Sequence, residues 1–194
     1  MQTLRAMFVI GYGWTAVLAV IALGVIGGAC TEIDRAALDV AQAVHPPVLD
    51  VFASLVGIFG RGEVTIGIAL GLAVARWRTS PRAALIPLFI AATILIETLL
   101  KLVVPQAPPP EDRSRTIELL PYVHVPFAHS FPSGHVARAA FLLRIAQRVP
   151  SWAVVAGIVL MALTRVYLGE HWLSDVVGGL ALGLGVANVA RRLY

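Results

Sequence analysis

Residues Pro81–Val104 read PRAALIPLFIAATILIETLLKLVV, and this stretch decides what kind of protein the chain makes. From Ala83 to Ile96 it carries no charge, and as a helix it is long enough to cross hydrocarbon, which takes about 20 residues. Glu97 and Lys101 come only near its end, four residues apart. Working outward, Met7–Ala29, Trp152–Leu168 and Trp172–Ala190 are further apolar runs, and Gly134–Val149 is a shorter one. Glu63–Trp77 reaches full length when the apolar stretch from Val48 leads into it past a break at Gly57, Gly60 and Gly62. The pattern predicts an all-α integral membrane protein, a bundle of six transmembrane helices forming one domain over residues 1–194.

Composition agrees. The chain is 58% hydrophobic, 13% charged, and has a mean hydropathy of +0.83. A soluble domain carries about a quarter charged residues, so much of this surface faces something other than water. The net charge of +4 does not indicate nucleic acid, because the basic residues form no stripe and no aromatic platform interleaves with them. They sit at the ends of apolar runs, where arginine sets orientation. With the N-terminus cytoplasmic, Arg5, Arg76, Arg78, Arg82, Arg144, Arg148, Arg191 and Arg192 fall on the cytoplasmic side. Arg35, Arg61, Lys101, Arg113, Arg115, Arg138 and Arg165 fall opposite. Cys30 is the one cysteine. The run before it is too long for a signal-peptide core, so it reads as a small residue ending a helix.

Two connections stand out. In Thr31–His45, Thr31 is placed to cap a helix with Asp34 at the third position, and Ile33, Ala37, Val40 and Val44 make one apolar stripe. This predicts a short helix lying in the membrane interface. Pro105–Pro132 is proline-rich and reads as an irregular extracytoplasmic loop. Gly24/Gly28, Gly67/Gly71 and Gly179/Gly183 are spaced to let helices approach closely.

The chemistry-bearing residues gather at the non-cytoplasmic ends of the predicted helices. Lys101 ends one span, Phe131-Pro132-Ser133-Gly134-His135 opens the next, and Thr164-Arg165 through His171 to Asp175 joins the last two. Polar residues beside spans are costly and mark function. Ser133 and Gly134 at a helix start offer backbone N–H groups and a positive dipole end to an anion. His171 and Asp175, four apart, share a helix face, so the carboxylate can hold one ring nitrogen and leave the other free to attack phosphorus. Arg165 offers a forked donor for phosphate oxygens. Trp14, Trp77, Trp152 and Trp172 read as interfacial anchors. His45, His124 and His129 read as loop residues, Glu97 as a partner for Lys101, and Glu170 as facing water or headgroups.

Thr164-Arg165, five residues, His171, three residues, Asp175 resembles the third signature of the PAP2 (type-2 phosphatidic acid phosphatase) superfamily, with threonine for its usual serine. Pro132-Ser133-Gly134-His135 resembles the second signature throughout. The first is a lysine followed seven residues later by Arg-Pro. Lys101 fits, but Pro108 and Pro109 stand where Arg-Pro is expected. The resemblance implies a PAP2-like fold and removal of phosphate from a lipid phosphate or pyrophosphate without cofactor or metal. It implies His171 as nucleophile forming a phosphohistidine, Asp175 as its orienting group, and His135 as acid and then base. Lys101, Ser133, the Gly134 N–H and Arg165 would hold the phosphoryl oxygens. The absent arginine needs a stand-in. Arg138, three residues after His135, is favoured over Arg113 and Arg115 of the loop.

Undecaprenyl pyrophosphate, phosphatidylglycerophosphate and phosphatidic acid are all substrates the resemblance allows, in a bacterial inner membrane with the site on the extracytoplasmic side. Two other readings compete. A phosphotransferase would pass the phosphoryl group to another lipid. A binding or transport protein would use the cationic pocket alone, but binding requires no nucleophile-and-acid arrangement.

Overall fold

Backbone groups inside hydrocarbon find no water, so an apolar chain satisfies them within helices. The computed structural model describes residues 2–121, 127–146 and 148–192, and among them there is helix and loop but no strand. The helices are α1 (Gln2–Ile26), α2 (Thr31–Ala41), α3 (Pro47–Ile58), α4 (Gly62–Trp77), α5 (Pro81–Ala84), α6 (Ile90–Val103), α7 (Gly134–Ile145), α8 (Ser151–Tyr167) and α9 (Leu173–Arg192).

Pro81–Val103, made of α5, a 3₁₀ turn at Pro87–Phe89 and α6, is long and apolar enough to cross a membrane, as is α9. Two bent pairs pass the same test when each is taken together. Gly13–Ile26 meets α2 at 98°, and α3 meets α4 at 45°. The first bend falls at Gly28, whose φ of 73° suits a residue without Cβ. The second falls at the predicted break of Gly57, Gly60 and Gly62. α8, of 17 residues, is a shorter apolar helix, and α7, of 12 residues, carries His135, Arg138 and Arg144.

α7 stops at Ile145, four residues before the predicted Val149. Ala146 is extended, Arg148 has a φ of 65°, and Pro150 disfavours helix at the residue before it. Arg76 of α4 closes the end, its Nη2 donating to Ile145 O at 2.7 Å. α7 is apolar nearly all round and buried along most of its length, which makes it the centre of the bundle.

Glycine explains how α9 packs on α7. A Cβ at Gly179 would collide with Ser133 O, one at Gly183 with Ala137 O, and one at Gly178 with the Phe131 ring. Small residues therefore bring the two helices into backbone contact. Of the three predicted glycine pairs only this one sits at a helix contact. Gly67 and Gly71 have nothing within 4 Å of the position a Cβ would take, and Gly28 serves the turn.

α2 departs from the expected capping. Cys30 is its N-cap, and the Thr31 hydroxyl donates to Gly28 O at 3.0 Å. Asp34 turns inward instead. Only 3% exposed, it accepts from Ser174 N at 2.8 Å, Ser174 Oγ at 2.7 Å and Gln106 Nε2 at 3.3 Å. The stripe residues Ile33, Val40 and Val44 consequently face away from the protein and are exposed.

Candidate active site

The close contact of α7 and α9 sets two sequence-distant segments side by side. Ser133 N donates to Asp175 O at 2.9 Å, tying the start of α7 to the first turn of α9. The end of α8 joins them, because His171 N and Glu170 N both donate to Arg165 O. The end of α6 joins through side chains, Glu97 pairing with Arg138 of α7 at 2.5 Å. Four helix ends thus meet at one end of the bundle. Arg144 and Arg191–Arg192 lie at the far ends of α7 and α9.

Within this junction His171 and Asp175 are buried, and His171 Nδ1 lies 3.2 Å from Asp175 Oδ2. The same Oδ2 accepts from Trp172 N at 3.0 Å, so the carboxylate is held on two sides. With Nδ1 engaged, Nε2 is the ring nitrogen left for chemistry. His135 sits one residue inside the start of α7, half-buried, within electrostatic reach of Arg165, Arg138, His171 and Lys101. Gly60 lies against it, since a Cβ there would come within 2.8 Å of His135 Cδ2. Gly57 does the same for Arg165, whose guanidinium occupies the space a Cβ would need. The α3–α4 break therefore has a role beyond bending. It lets backbone approach two charged or titratable side chains of the junction.

The cations are anchored individually. Arg165 is 2% exposed, and its Nη1 donates to Glu170 Oε2 at 2.6 Å and its Nη2 to Ala53 O at 3.2 Å. Arg138 donates from Nε to Gly60 O at 3.1 Å and from Nη1 to Glu97. Lys101 Nζ is 3.4 Å from Glu97 Oε1 and lies 5.0 Å from the centre of the Phe127 ring. Among the described residues, Ser133 Oγ, Arg165 Nε and Asp175 Oδ1 are buried without a hydrogen-bond partner in the protein. Buried polar groups are nearly always paired. Two donors that lack a partner inside a ring of cations are what an anion would satisfy.

All eight residues singled out from the sequence lie at this junction: Lys101, Ser133, Gly134, His135, Arg138, Arg165, His171 and Asp175. The loop arginines do not join them. Arg113 donates to Asp39 at 2.7 Å and to Gln42 at 2.9 Å, and Arg115 donates to Asp50 at 3.0 Å. Glu170 corrects the expectation that it faces water. It holds Arg165 and accepts from Thr116 Oγ1 at 2.7 Å, linking the site to the proline-rich loop. Trp172 likewise reaches that loop, its Nε1 donating to Ala107 O at 2.7 Å. His45 bonds back to Gln42 O, while His124 lies outside the described residues. Glu97 and Glu170 were the partners hardest to see in sequence. The four-residue spacing of Glu97 and Lys101 does point to their pairing, and the structure shows it, but nothing along the chain signals Arg138 as the second partner of Glu97 or Arg165 as the partner of Glu170.

Comparison with known proteins follows the same outline. The model of the PAP2 superfamily matches residues 82–194. Phosphatidylglycerophosphatase B of Bacillus subtilis is 37% identical over 81 residues, covering 34% of this chain and 39% of that protein. An undecaprenyl-diphosphatase of Sulfolobus acidocaldarius is 35% identical over 74 residues, 35% of each chain. A lipid A 4'-phosphatase of Porphyromonas gingivalis is 30% identical over 71 residues, 34% of this chain and 30% of that one. The matches thus span less than half the length of these relatives. In fold, the chain is similar to the crystal structure of a transmembrane PAP2-type phosphatidylglycerolphosphate phosphatase from Bacillus subtilis, with a TM-score of 0.79, 22% identity and 95% of both chains covered. It is also similar to Aquifex aeolicus LpxE, with a TM-score of 0.65, 20% identity, and 82% of this chain and 95% of that one covered.

Proposed function

The chain belongs to the PAP2 superfamily, and from that premise we propose that it removes phosphate from a membrane lipid phosphate or diphosphate through a phosphohistidine on His171. The observation that carries the proposal is the buried His171–Asp175 pair at 3.2 Å, set beside His135 and a ring of cations. Asp175 holds Nδ1 and stabilises positive charge on the ring as Nε2 attacks phosphorus. The P–N bond forms, the P–O bond to the lipid breaks, and His135 gives its proton to the departing oxygen. His135 then takes a proton from water as that water attacks the phosphohistidine, releasing inorganic phosphate and restoring His171. Lys101, Arg138, Arg165, Ser133 Oγ and the Gly134 N–H hold the equatorial oxygens, supplying the charge stabilisation that a metal ion would otherwise provide.

The substrate class we propose is an amphiphilic phosphate: phosphatidylglycerophosphate or an undecaprenyl diphosphate, of the kind two of the relatives' names describe, or the phosphatidic acid that the family resemblance allows. A site at the end of an apolar bundle suits a headgroup at the surface with its chains in lipid. We place six crossing segments in a bacterial inner membrane, with the site on the extracytoplasmic side by the arginine distribution. α2 would lie in the interface, its exposed stripe of Ile33, Val40 and Val44 against lipid.

The test is phosphate release by the purified protein in detergent with EDTA present, across those three lipids, wild type beside His171→Ala. Wild type should release phosphate from at least one lipid, and the variant should lose at least about 10³-fold in kcat. Release that EDTA abolishes, or that survives His171→Ala, would overturn the mechanism.

A further inference from the structure

Glu97 has no task in the proposed reaction, yet it is the hub of the site's α6–α7 side. Its side chain is only 6% exposed, and its two oxygens take different cations. Oε1 pairs with Lys101 Nζ at 3.4 Å, and Oε2 accepts from Arg138 Nη1 at 2.5 Å. Its carboxylate also fills the space beside Gly134, where any Cβ would collide with it. Arg138 in turn reaches the α3–α4 turn through Gly60 O. One buried carboxylate thus joins the end of α6, the start of α7 and the glycine turn.

A plain helix-surface pair needs one cation and little burial. Here two cations that would repel each other are brought together out of water, which a carboxylate between them makes tolerable. Lysine and arginine side chains are long and lose much rotamer freedom when fixed. Fixing them before the substrate arrives removes that cost from the step in which phosphoryl charge develops. The bonds to Glu97 and Gly60 use two of Arg138's five N–H donors.

We propose that Glu97 is a positioning residue. It holds Lys101 and Arg138 in the arrangement that receives phosphoryl oxygens, and so lets an arginine on α7 serve where the loop carries Pro108. This rests on the phosphate-site reading above. The test measures KM and kcat on the lipid that wild type turns over best, the Kd of orthovanadate, and Tm. It compares wild type, Glu97→Gln, Glu97→Asp, Arg138→Gln and the Glu97→Gln/Arg138→Gln double variant.

Glu97→Gln should weaken vanadate binding and raise KM by about tenfold or more, the worth of a charge-assisted hydrogen bond. Glu97→Asp should recover part of that loss. The double variant should lose less than the product of the single losses, because one residue acts through the other. A Glu97→Gln protein with lowered Tm but wild-type KM and vanadate Kd would show a merely structural role and overturn the proposal, as would fully multiplicative losses. If Glu97→Gln does not fold, Glu97→Asp decides, and a wild-type vanadate Kd there overturns it. If wild type binds vanadate but releases phosphate from no lipid, the phosphatase reading fails while the vanadate series still judges Glu97. If wild type binds no vanadate, both fall.

Discussion

On the α8–α9 side of the site, His171 and Asp175 stand four residues apart and meet at 3.2 Å. On the α6–α7 side, Glu97 and Arg138 stand 41 residues apart and meet at 2.5 Å. The first pair is local but not helical: contrary to the expectation of a shared helix face, His171 lies two residues before α9 and Asp175 in its first turn, so the turn at the helix start brings them together. The second exists only because α6 and α7 are packed side by side. The comparison teaches that a local pair follows from closeness along the chain. A long-range pair can instead be rebuilt with different residues, provided the new partners reach the same place. In the proposed site, Arg138 is the residue that uses that freedom, where Pro108 stands in the position of an expected arginine.

The largest effect that would sharpen the contrast is the one expected from His171→Ala, which removes the atom proposed to attack phosphorus. Next is Gly134→Ala. Its new Cβ would displace a carboxylate pinned by two cations, so we expect turnover to fall about 100-fold, on the scale of losing one oxyanion donor. A Gly134→Ala enzyme with wild-type turnover would break the view that the α6–α7 side is tightly built. Arg138→Gln should cost between about tenfold and 100-fold in kcat/KM, whereas Arg113→Gln, which loses ion pairing to the exposed Asp39, should change turnover by no more than about twofold. The reverse order would return the stand-in role to the loop. The smallest effect lies outside the chemistry. Asp34→Ala leaves Ser174 N and Oγ without their acceptor, and should lower stability by about 1–3 kcal/mol, read as a fall in Tm.

Much of this was legible along the chain. The apolar run of Pro81–Val104 and its companions anticipate the helical segments, because hydrocarbon leaves the backbone no other economical way to bond. Gly179/Gly183 and the break at Gly57, Gly60 and Gly62 were visible as patterns, but not what they admit. That Gly183 lets α9 touch the backbone at Ala137, or that Gly57 makes room for Arg165, depends on which helix lies opposite. Gly67/Gly71 has the same spacing and meets nothing. Its place soon after Thr31 makes Asp34 resemble a capping partner, because spacing alone shows only neighbours in sequence. Its partners, Ser174 and Gln106, lie 140 and 72 residues away.

By itself, the sequence determined the chemistry on offer and the local pairings: an apolar helical chain, a histidine with a carboxylate beside it, and an anion-receptive helix start. These depend on residue type and on closeness along the chain, which hold without knowledge of the fold. Only the tertiary structure decided which cations face the site and which acids hold them. Beyond the Lys101 that its spacing already offered, Glu97 took Arg138, Glu170 took Arg165, and Asp39 and Asp50 drew Arg113 and Arg115 away. The physical reason is reach. A salt bridge forms within about 4 Å, and whether two charges on different helices come that close is settled by how the helices pack, not by how far apart they stand along the chain.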